Sequence, residues 1–203
     1  MPTSLPLIEP MQLNERLFNM EGFTEATINE HQTMYQRFVK RYNDVVTLLG
    51  QVHRTPEHCS STYSPLRVLK IELTYALGGV RNHELYFKQL GGKGGKPKGN
   101  LAQQIDLWFG SFDDWVTDLT GTAISARGWV WLAWDREGQY LFNYLGDSNN
   151  TFPVWNAAPL LALDLFEHAY YLDFKQDRQA YVEAFLKNLD WKIIEERFDA
   201  ATR

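Results

Sequence analysis

The residues best suited to chemistry are Asp164 and His168, four positions apart near the end of the chain. A carboxylate and an imidazole at this spacing can bind one metal ion together. The apolar residues 157–163 before them predict a buried strand, so the pair stands where a strand gives way to a helix. On this segment alone two roles are open. The pair is either part of a metal site, or a helix cap followed by a buried histidine with a hydrogen-bond partner.

Two more histidines fall on the apolar stripes of predicted helices. His31 comes three residues after Ile28 on the first stripe. His83 comes three residues after Val80 on the second stripe. Each long helix therefore directs one imidazole toward the core. Burying three imidazoles and a carboxylate is costly unless they are paired or bind a cation, and one metal ion would satisfy all four.

The types of these donors indicate the metal. Three nitrogens and one carboxylate oxygen suit iron, manganese or zinc. A structural zinc site often uses thiolates, and the chain has a single cysteine, Cys59. We therefore expect one redox-active iron or manganese ion per chain, held in an aromatic core.

Composition limits the class of protein. The chain has 203 residues, 44% of them hydrophobic, and a net charge of -5. These values predict a folded chain and argue against a nucleic-acid-binding protein, which usually has a basic face. One cysteine cannot form an internal disulfide, the N-terminal segment does not match a signal peptide, and no apolar run reaches the length of about 20 residues that spans a membrane. We expect a cytoplasmic protein with no nucleic-acid or membrane partner.

Apolar periodicity predicts two long helices in the first half of the chain, at residues 24–49 and 66–87. A loop at residues 51–65 would join them into an antiparallel hairpin. The glycine- and lysine-rich residues 91–99 are typical of a linker and lack the pattern of a phosphate-binding loop. We place a domain boundary in this segment.

The second half of the chain predicts a small sheet flanked by helices. Helices are predicted at residues 101–119, 167–175 and 179–198, and strands at residues 128–134, 139–145 and 157–163. A turn at residues 135–138 would join the first two strands into a β-hairpin. The predicted class is α+β, with an N-terminal helical-hairpin domain at residues 1–92. A C-terminal α/β domain at residues 93–203 would carry a small three-stranded antiparallel sheet.

Four segments contain candidate ligands and core residues in a distinctive order along the chain. They are Gly-Gly-Val-Arg-Asn-His at 78–83, Gly-Trp-Val-Trp-Leu at 128–132, Pro-Leu-Leu-Ala-Leu-Asp at 159–164 and Glu-His-Ala-Tyr-Tyr-Leu-Asp-Phe at 167–174. Together they resemble the iron/manganese superoxide dismutase family. The similarity runs in order through roughly residues 22–198, and the segment from 159 to 174 is its most specific part.

The resemblance implies a metal ion between the two domains and a reaction at that ion. The implied ligands of one Fe or Mn are His31, His83, Asp164 and His168. The substrate would be superoxide, one molecule being oxidised to dioxygen and the next reduced to hydrogen peroxide, while the ion alternates between trivalent and divalent states. In the family a metal-bound solvent molecule supplies a proton, and a nearby side-chain amide tunes its pKa and the metal potential.

Four further residues enter the implied site through the resemblance. Glu167 and Tyr171 match residues that reach across the interface of a homodimer toward the partner's site. Asn149 takes the place of a glutamine that supplies the tuning amide, and it is one methylene shorter. Tyr35 would supply a phenol, because Phe38 stands where the family has a gateway tyrosine.

Other positions depart from the family pattern. Gly79 cannot supply the amide that some members carry at that position, which favours the manganese-type arrangement. Phe87 and Phe166 replace tryptophans. Two functions therefore stay open, a metal-dependent superoxide dismutase and a scaffold protein that keeps the fold without the reaction. A non-haem iron oxygenase is a third, because it uses ligands of the same kind.

Overall fold

The computed structural model describes residues 5–150 and 154–203. Its helices are α1 (Glu25–Leu49), α2 (Pro65–Lys88), α3 (Gly99–Phe109), α4 (Phe112–Ser125), α5 (Glu167–Phe174), α6 (Arg178–Lys187) and α7 (Trp191–Ala201), and its strands are β1 (Trp129–Asp135), β2 (Tyr140–Gly146) and β3 (Ala157–Asp164). The predicted α+β class is confirmed. Within the described ranges no helix combines the length and the apolar composition that a membrane span requires.

The hairpin of α1 and α2 carries two of the four predicted ligands. The Thr24 hydroxyl accepts a hydrogen bond from the Thr27 N–H at the start of α1. The Ser64 hydroxyl accepts one from the Arg67 N–H at the start of α2. Both caps satisfy donors that the first turn of a helix leaves free. The two helices pack on each other along their apolar stripes, as the periodicity predicts.

The three strands form one antiparallel sheet in the order β2-β1-β3. The predicted turn joins β1 to β2, and in it Asp135 Oδ1 accepts hydrogen bonds from the N–H groups of Glu137 and Gly138. The central strand β1 is buried over all but its last residue. The register pairs Trp129 with Asp164, so β3 delivers Asp164 at the point where the chain leaves the sheet for α5.

Two predicted helices are wrong as single elements, because each is divided in two. The helix predicted at residues 101–119 is interrupted by Gly110, whose φ of 93° ends α3, and Ser111 then caps α4. The helix predicted at residues 179–198 is interrupted between α6 and α7, where Leu189 forms an isolated β-bridge. Apolar residues continue across both breaks, so the periodicity does not reveal them.

The glycine- and lysine-rich residues 91–99 are bonded to the connection between α6 and α7. The Gly92 N–H donates to Asn188 O at 2.9 Å, and the Gly94 N–H donates to Leu189 O at 3.0 Å. A Cβ on Gly92 would clash with the Leu189 carbonyl oxygen, and one on Gly94 would lie 2.7 Å from the carbonyl oxygen of Lys187 at the end of α6. The segment is therefore a packed loop rather than a free linker, and the domain boundary placed in it stays a prediction.

Gly78 on α2 allows close approach of the backbone at Asn149. A Cβ at Gly78 would lie 2.1 Å from Asn149 O, whereas one at Gly121 in α4 would meet nothing within 4 Å. We expect Gly78→Ala to lower the free energy of unfolding by about 1–3 kcal/mol, because the loop must move. Gly121→Ala should instead raise it by up to about 1 kcal/mol through helix propensity. Urea denaturation of both variants checks this, and equal effects would contradict the contact.

Candidate metal centre

Four elements bring together the side chains that the sequence predicts as metal ligands. His31 comes from α1, His83 from α2, Asp164 from the last position of β3 and His168 from the first turn of α5. Their possible ligand atoms all lie within 4.8 Å of one another, and only His168 is partly exposed. The cluster joins the helical hairpin to the sheet and to α5.

One carboxylate oxygen lies at the middle of the cluster. Asp164 Oδ2 is 3.0 Å from His31 Nε2 and 3.1 Å from His168 Nε2. It is 3.6 Å from His83 Nε2. Bonds from such atoms to a first-row metal are about 2.0–2.2 Å long. Donors at these separations can therefore share one ion.

Burial and proximity set the protonation of the cluster. Burial lowers the pKa of His31. Burial, with the nearby His31, lowers the pKa of His83 to about 3. Burial alone would raise the pKa of Asp164, but the neighbouring His168 and His31 outweigh it and hold that pKa well below its usual range. At neutral pH the two buried imidazoles are neutral and the carboxylate is ionised, which are the forms that bind metals.

The hydrogen bonding of His83 shows whether these residues fit a metal ion. Its Nδ1 lies 2.6 Å from the carbonyl oxygen of Gly79, so Nδ1 carries the proton and donates it there. Nε2 then presents a lone pair, and this buried atom has no hydrogen-bond partner in the part of the chain that the structure describes. An unpaired buried polar atom is costly. A metal ion bound by Nε2 removes that cost, so the donor set fits iron or manganese.

Asp164 does not cap α5, because the N-cap residue is Phe166 and no side chain caps that helix. Oδ1 accepts a hydrogen bond from the Phe166 N–H at 2.9 Å, just before α5. This bond fixes the rotation of the carboxylate. Oδ2 is left facing the three histidines. The local turn therefore serves the cluster rather than competing with it.

Aromatic rings enclose the imidazoles. The ring centroids of Phe38 and Trp129 lie 5.3 Å and 5.2 Å from that of His83. Phe166 stacks on His168 at 5.7 Å. An apolar shell of this kind limits the access of water and tunes the properties of a bound metal.

Asn149 is a buried amide bonded to Trp129, whose ring packs against that of His83. Its Oδ1 accepts a hydrogen bond from Trp129 Nε1 at 2.9 Å. Its Nδ2 is buried and has no partner among the described residues. Because an indole nitrogen can only donate, the oxygen of the amide must face Trp129 and the nitrogen must be the free end.

Tyr35 lies near the cluster, with its hydroxyl engaged elsewhere. The ring centroid is 6.3 Å from that of His83. The hydroxyl accepts a hydrogen bond from the Met11 N–H at 2.9 Å and lies 3.4 Å from Glu84 Oε1. The phenol therefore ties the N-terminal segment to α1 and α2.

Glu167 and Tyr171 lie on the outer side of α5. With His168 they line an open groove of about 530 Å³ that also includes Leu172. Tyr171 and Leu172 are 42% and 48% exposed. Of the four candidate ligands, His168 is the one that lines this groove.

Two contributors to the centre, the Gly79 carbonyl and the Trp129 indole, are not among the residues predicted from the sequence. The Gly79 carbonyl was detectable in principle, because Gly79 precedes His83 by four residues on one helix, the spacing at which a side chain can reach a backbone carbonyl. Trp129, which orients the Asn149 amide, had no comparable signal, since strand and loop meet only in the folded chain.

Comparison with known proteins identifies the family. The model of the C-terminal domain of iron/manganese superoxide dismutases matches residues 97–197. The superoxide dismutase (Fe) of Aquifex aeolicus is 36% identical over 190 residues, which cover 91% of this chain and 88% of that protein. The superoxide dismutase (Mn) of Mycolicibacterium fortuitum is 34% identical over 90% of this chain and 88% of that protein. The chain therefore belongs to the iron/manganese superoxide dismutase family.

Proposed function

We propose that this chain is a superoxide dismutase whose single Fe or Mn ion is held by His31, His83, Asp164 and His168. The observation that carries the proposal is the set of three Nε2 atoms lying 3.0 to 3.6 Å from one buried carboxylate oxygen. Family membership supports the reaction, in which superoxide is oxidised to dioxygen in one half and reduced to hydrogen peroxide in the other. When bound, the ion supplies the one-electron couple that links the two halves.

The protein contributes fixed and deprotonated donors. The hydrogen bond from His83 Nδ1 to Gly79 O sets the tautomer and the orientation of that ring. The Asp164 carboxylate adds one negative charge to the donor set, which favours a highly charged cation. The surrounding rings keep bulk water from competing for the donors.

We assign to Asn149 the role of a hydrogen-bond donor for the oxygen species in the centre. Trp129 Nε1 donates to the amide oxygen, and the buried Nδ2 has no partner among the described residues. The N–H groups at Nδ2 are therefore available to donate hydrogen bonds. Donors held in place by the fold stabilise negative charge without having to reorganise. Superoxide carries such charge.

Replacing Asn149 with alanine should reduce dismutase turnover by about 10–100-fold, because such supporting partners are worth that much at metal sites. Metal content should stay at the wild-type value. Asn150→Ala is the matched control, since its amide donates to Thr74 instead. Stopped-flow superoxide decay measures turnover, and melting temperatures report the separate cost of leaving the Trp129 indole without an acceptor. Wild-type turnover in Asn149→Ala would exclude the amide from the reaction.

The role of Tyr35 in the reaction stays a prediction. Its hydroxyl accepts a hydrogen bond from the Met11 N–H and lies 3.4 Å from Glu84 Oε1, and its ring centroid lies 6.3 Å from that of His83. Phe38 offers no hydroxyl of its own. Tyr35→Phe is the check, because turnover falls at constant metal content only if the hydroxyl takes part.

We further propose that the enzyme is a homodimer and acts as a cytoplasmic antioxidant. The groove that contains Glu167 and Tyr171 supports the dimer, because it exposes apolar surface next to the ligand His168. The free Cys59 fits a reducing compartment. Sedimentation of the metal-loaded protein should give twice the chain mass of 23.6 kDa. Sedimentation at the mass of one chain would contradict the dimer.

The function is tested by loading the purified chain with Fe and with Mn in separate preparations and following the decay of superoxide. Decay should be fast and proportional to metal content. The scaffold alternative is motivated by Phe38 and Asn149, which replace residues that serve the reaction in the family. Fully loaded protein that leaves superoxide decay at the uncatalysed rate would favour that alternative.

A further inference from the structure

Two buried tyrosines meet next to the metal centre. Tyr86 on α2 and Tyr181 on α6 are both fully buried. Their hydroxyl oxygens lie 3.2 Å apart. The Tyr181 hydroxyl oxygen also lies 2.8 Å from the backbone carbonyl oxygen of Asp164. The pair therefore links α2 and α6 to the last residue of β3.

Counting protons gives this chain of bonds a direction. Each hydroxyl has one proton to donate, and a carbonyl oxygen can only accept. Tyr181 must therefore donate to Asp164 O, and Tyr86 must donate to the Tyr181 hydroxyl oxygen. Burial raises the pKa of both hydroxyls, so both keep their protons.

Tyr86 also touches a second predicted ligand. Its ring centroid lies 4.7 Å from that of His31. The opposite side of the ring is packed too, since Phe185 stacks on it at 5.8 Å. One side chain thus contacts His31 through its ring and reaches the main chain of Asp164 through its hydroxyl. These are the two residues whose Nε2 and Oδ2 atoms lie 3.0 Å apart.

We propose that Tyr86 is a positioning residue that fixes the placement of His31 relative to Asp164, acting on the second through Tyr181. The inference rests on the proposed function, because it takes these two side chains as ligands of the ion. Asp164 stands where β3 ends, and its carboxylate direction follows its main chain. A hydrogen bond to its carbonyl therefore limits how far Oδ2 can shift.

The direction of the bonds predicts unequal effects for the two hydroxyls. Tyr181→Phe leaves both the Asp164 carbonyl and the Tyr86 hydroxyl without a partner. Tyr86→Phe keeps the ring against His31 and leaves only one acceptor of Tyr181 unfilled. Tyr181→Phe should therefore be the more damaging change. The double variant should be no worse than Tyr181→Phe alone, because the two hydroxyls act as one chain.

The experiment compares these variants, loaded with Fe(III), by electron paramagnetic resonance, metal content, turnover and melting temperature. Tyr144→Phe is the matched control, since the Tyr144 ring stacks on Trp131 and its hydroxyl makes no hydrogen bond in the described part of the chain. We expect an altered zero-field splitting in Tyr86→Phe and a larger change in Tyr181→Phe. Turnover should fall by up to about 10-fold at wild-type metal content. The control should match the wild type.

Two results would overturn the inference. In one, metal-loaded Tyr86→Phe has the wild-type spectrum and turnover and differs only in a lower melting temperature. The hydroxyl would then stabilise the fold without positioning the ligands. The other is additive spectral changes in the double variant, which would break the chain of bonds. Neither touches the proposed function. A wild-type chain that takes up no Fe or Mn would overturn the proposed function itself and this inference with it.

Discussion

Replacing His83 with alanine is expected to abolish both metal binding and dismutase activity. The substitution removes one of four donors, and Nε2 of this fully buried ring has no other partner among the described residues. Metal content should fall from about one ion per chain to a small fraction, because a site without its ligands does not form. Activity should fall by at least about 100-fold, because replacing even a residue that only hydrogen-bonds to a metal ligand lowers metal affinity or activity by about 10–100-fold. Elemental analysis and stopped-flow decay measure the two effects.

The matched control is His58→Ala. His58 lies in the loop between α1 and α2, and its side chain is 52% exposed, so it should keep full metal content and activity. His83→Gln is the second test variant, because it fills more of the space and keeps a polar atom near Gly79. Circular dichroism shows which variants fold. A folded His83 variant with full activity would contradict the ligand assignment.

Asp164→Asn should have an equally large effect with a smaller cost to the fold. The amide keeps the shape of the carboxylate, and its oxygen can still accept the hydrogen bond from the Phe166 N–H. It removes the one negative charge among three imidazoles and, with it, an ionised ligand. We expect metal content and turnover to fall by at least about 100-fold, because replacing even a residue that only hydrogen-bonds to a metal ligand costs about 10–100-fold.

Asp113→Asn provides the control for the change of charge. Its carboxylate is 82% exposed and pairs with Lys96 on the surface. Exposed pairs of this kind contribute little, so metal content and turnover should match the wild type. Asp164→Asn with normal metal content would show that the carboxylate charge is not needed at the centre.

The four candidate ligands were predictable because local patterns place each of them. His31 and His83 stand on apolar stripes of long helices, and Asp164 and His168 stand at a strand-to-helix junction. Such patterns say which face of an element is buried. They do not give distances, and the separations around Asp164 Oδ2 come only from the packed hairpin, sheet and α5.

Other features could not be read from periodicity. The break at Gly110 depends on a positive φ that glycine permits and does not require. The packing of the glycine-rich residues 91–99 depends on backbone bonds to residues far along the chain. The bond between Tyr86 and Tyr181 joins positions 95 residues apart. These contacts form between elements that are distant in the sequence, so no local sequence pattern indicates them.

The most direct measurement is anomalous diffraction from a crystal of the Fe- or Mn-loaded enzyme, recorded at the absorption edge of its metal. We expect one strong peak per chain, within about 2.0–2.2 Å of Asp164 Oδ2 and of Nε2 of His31, His83 and His168. A strong peak at any other place, with no density between these four atoms, would contradict this expectation.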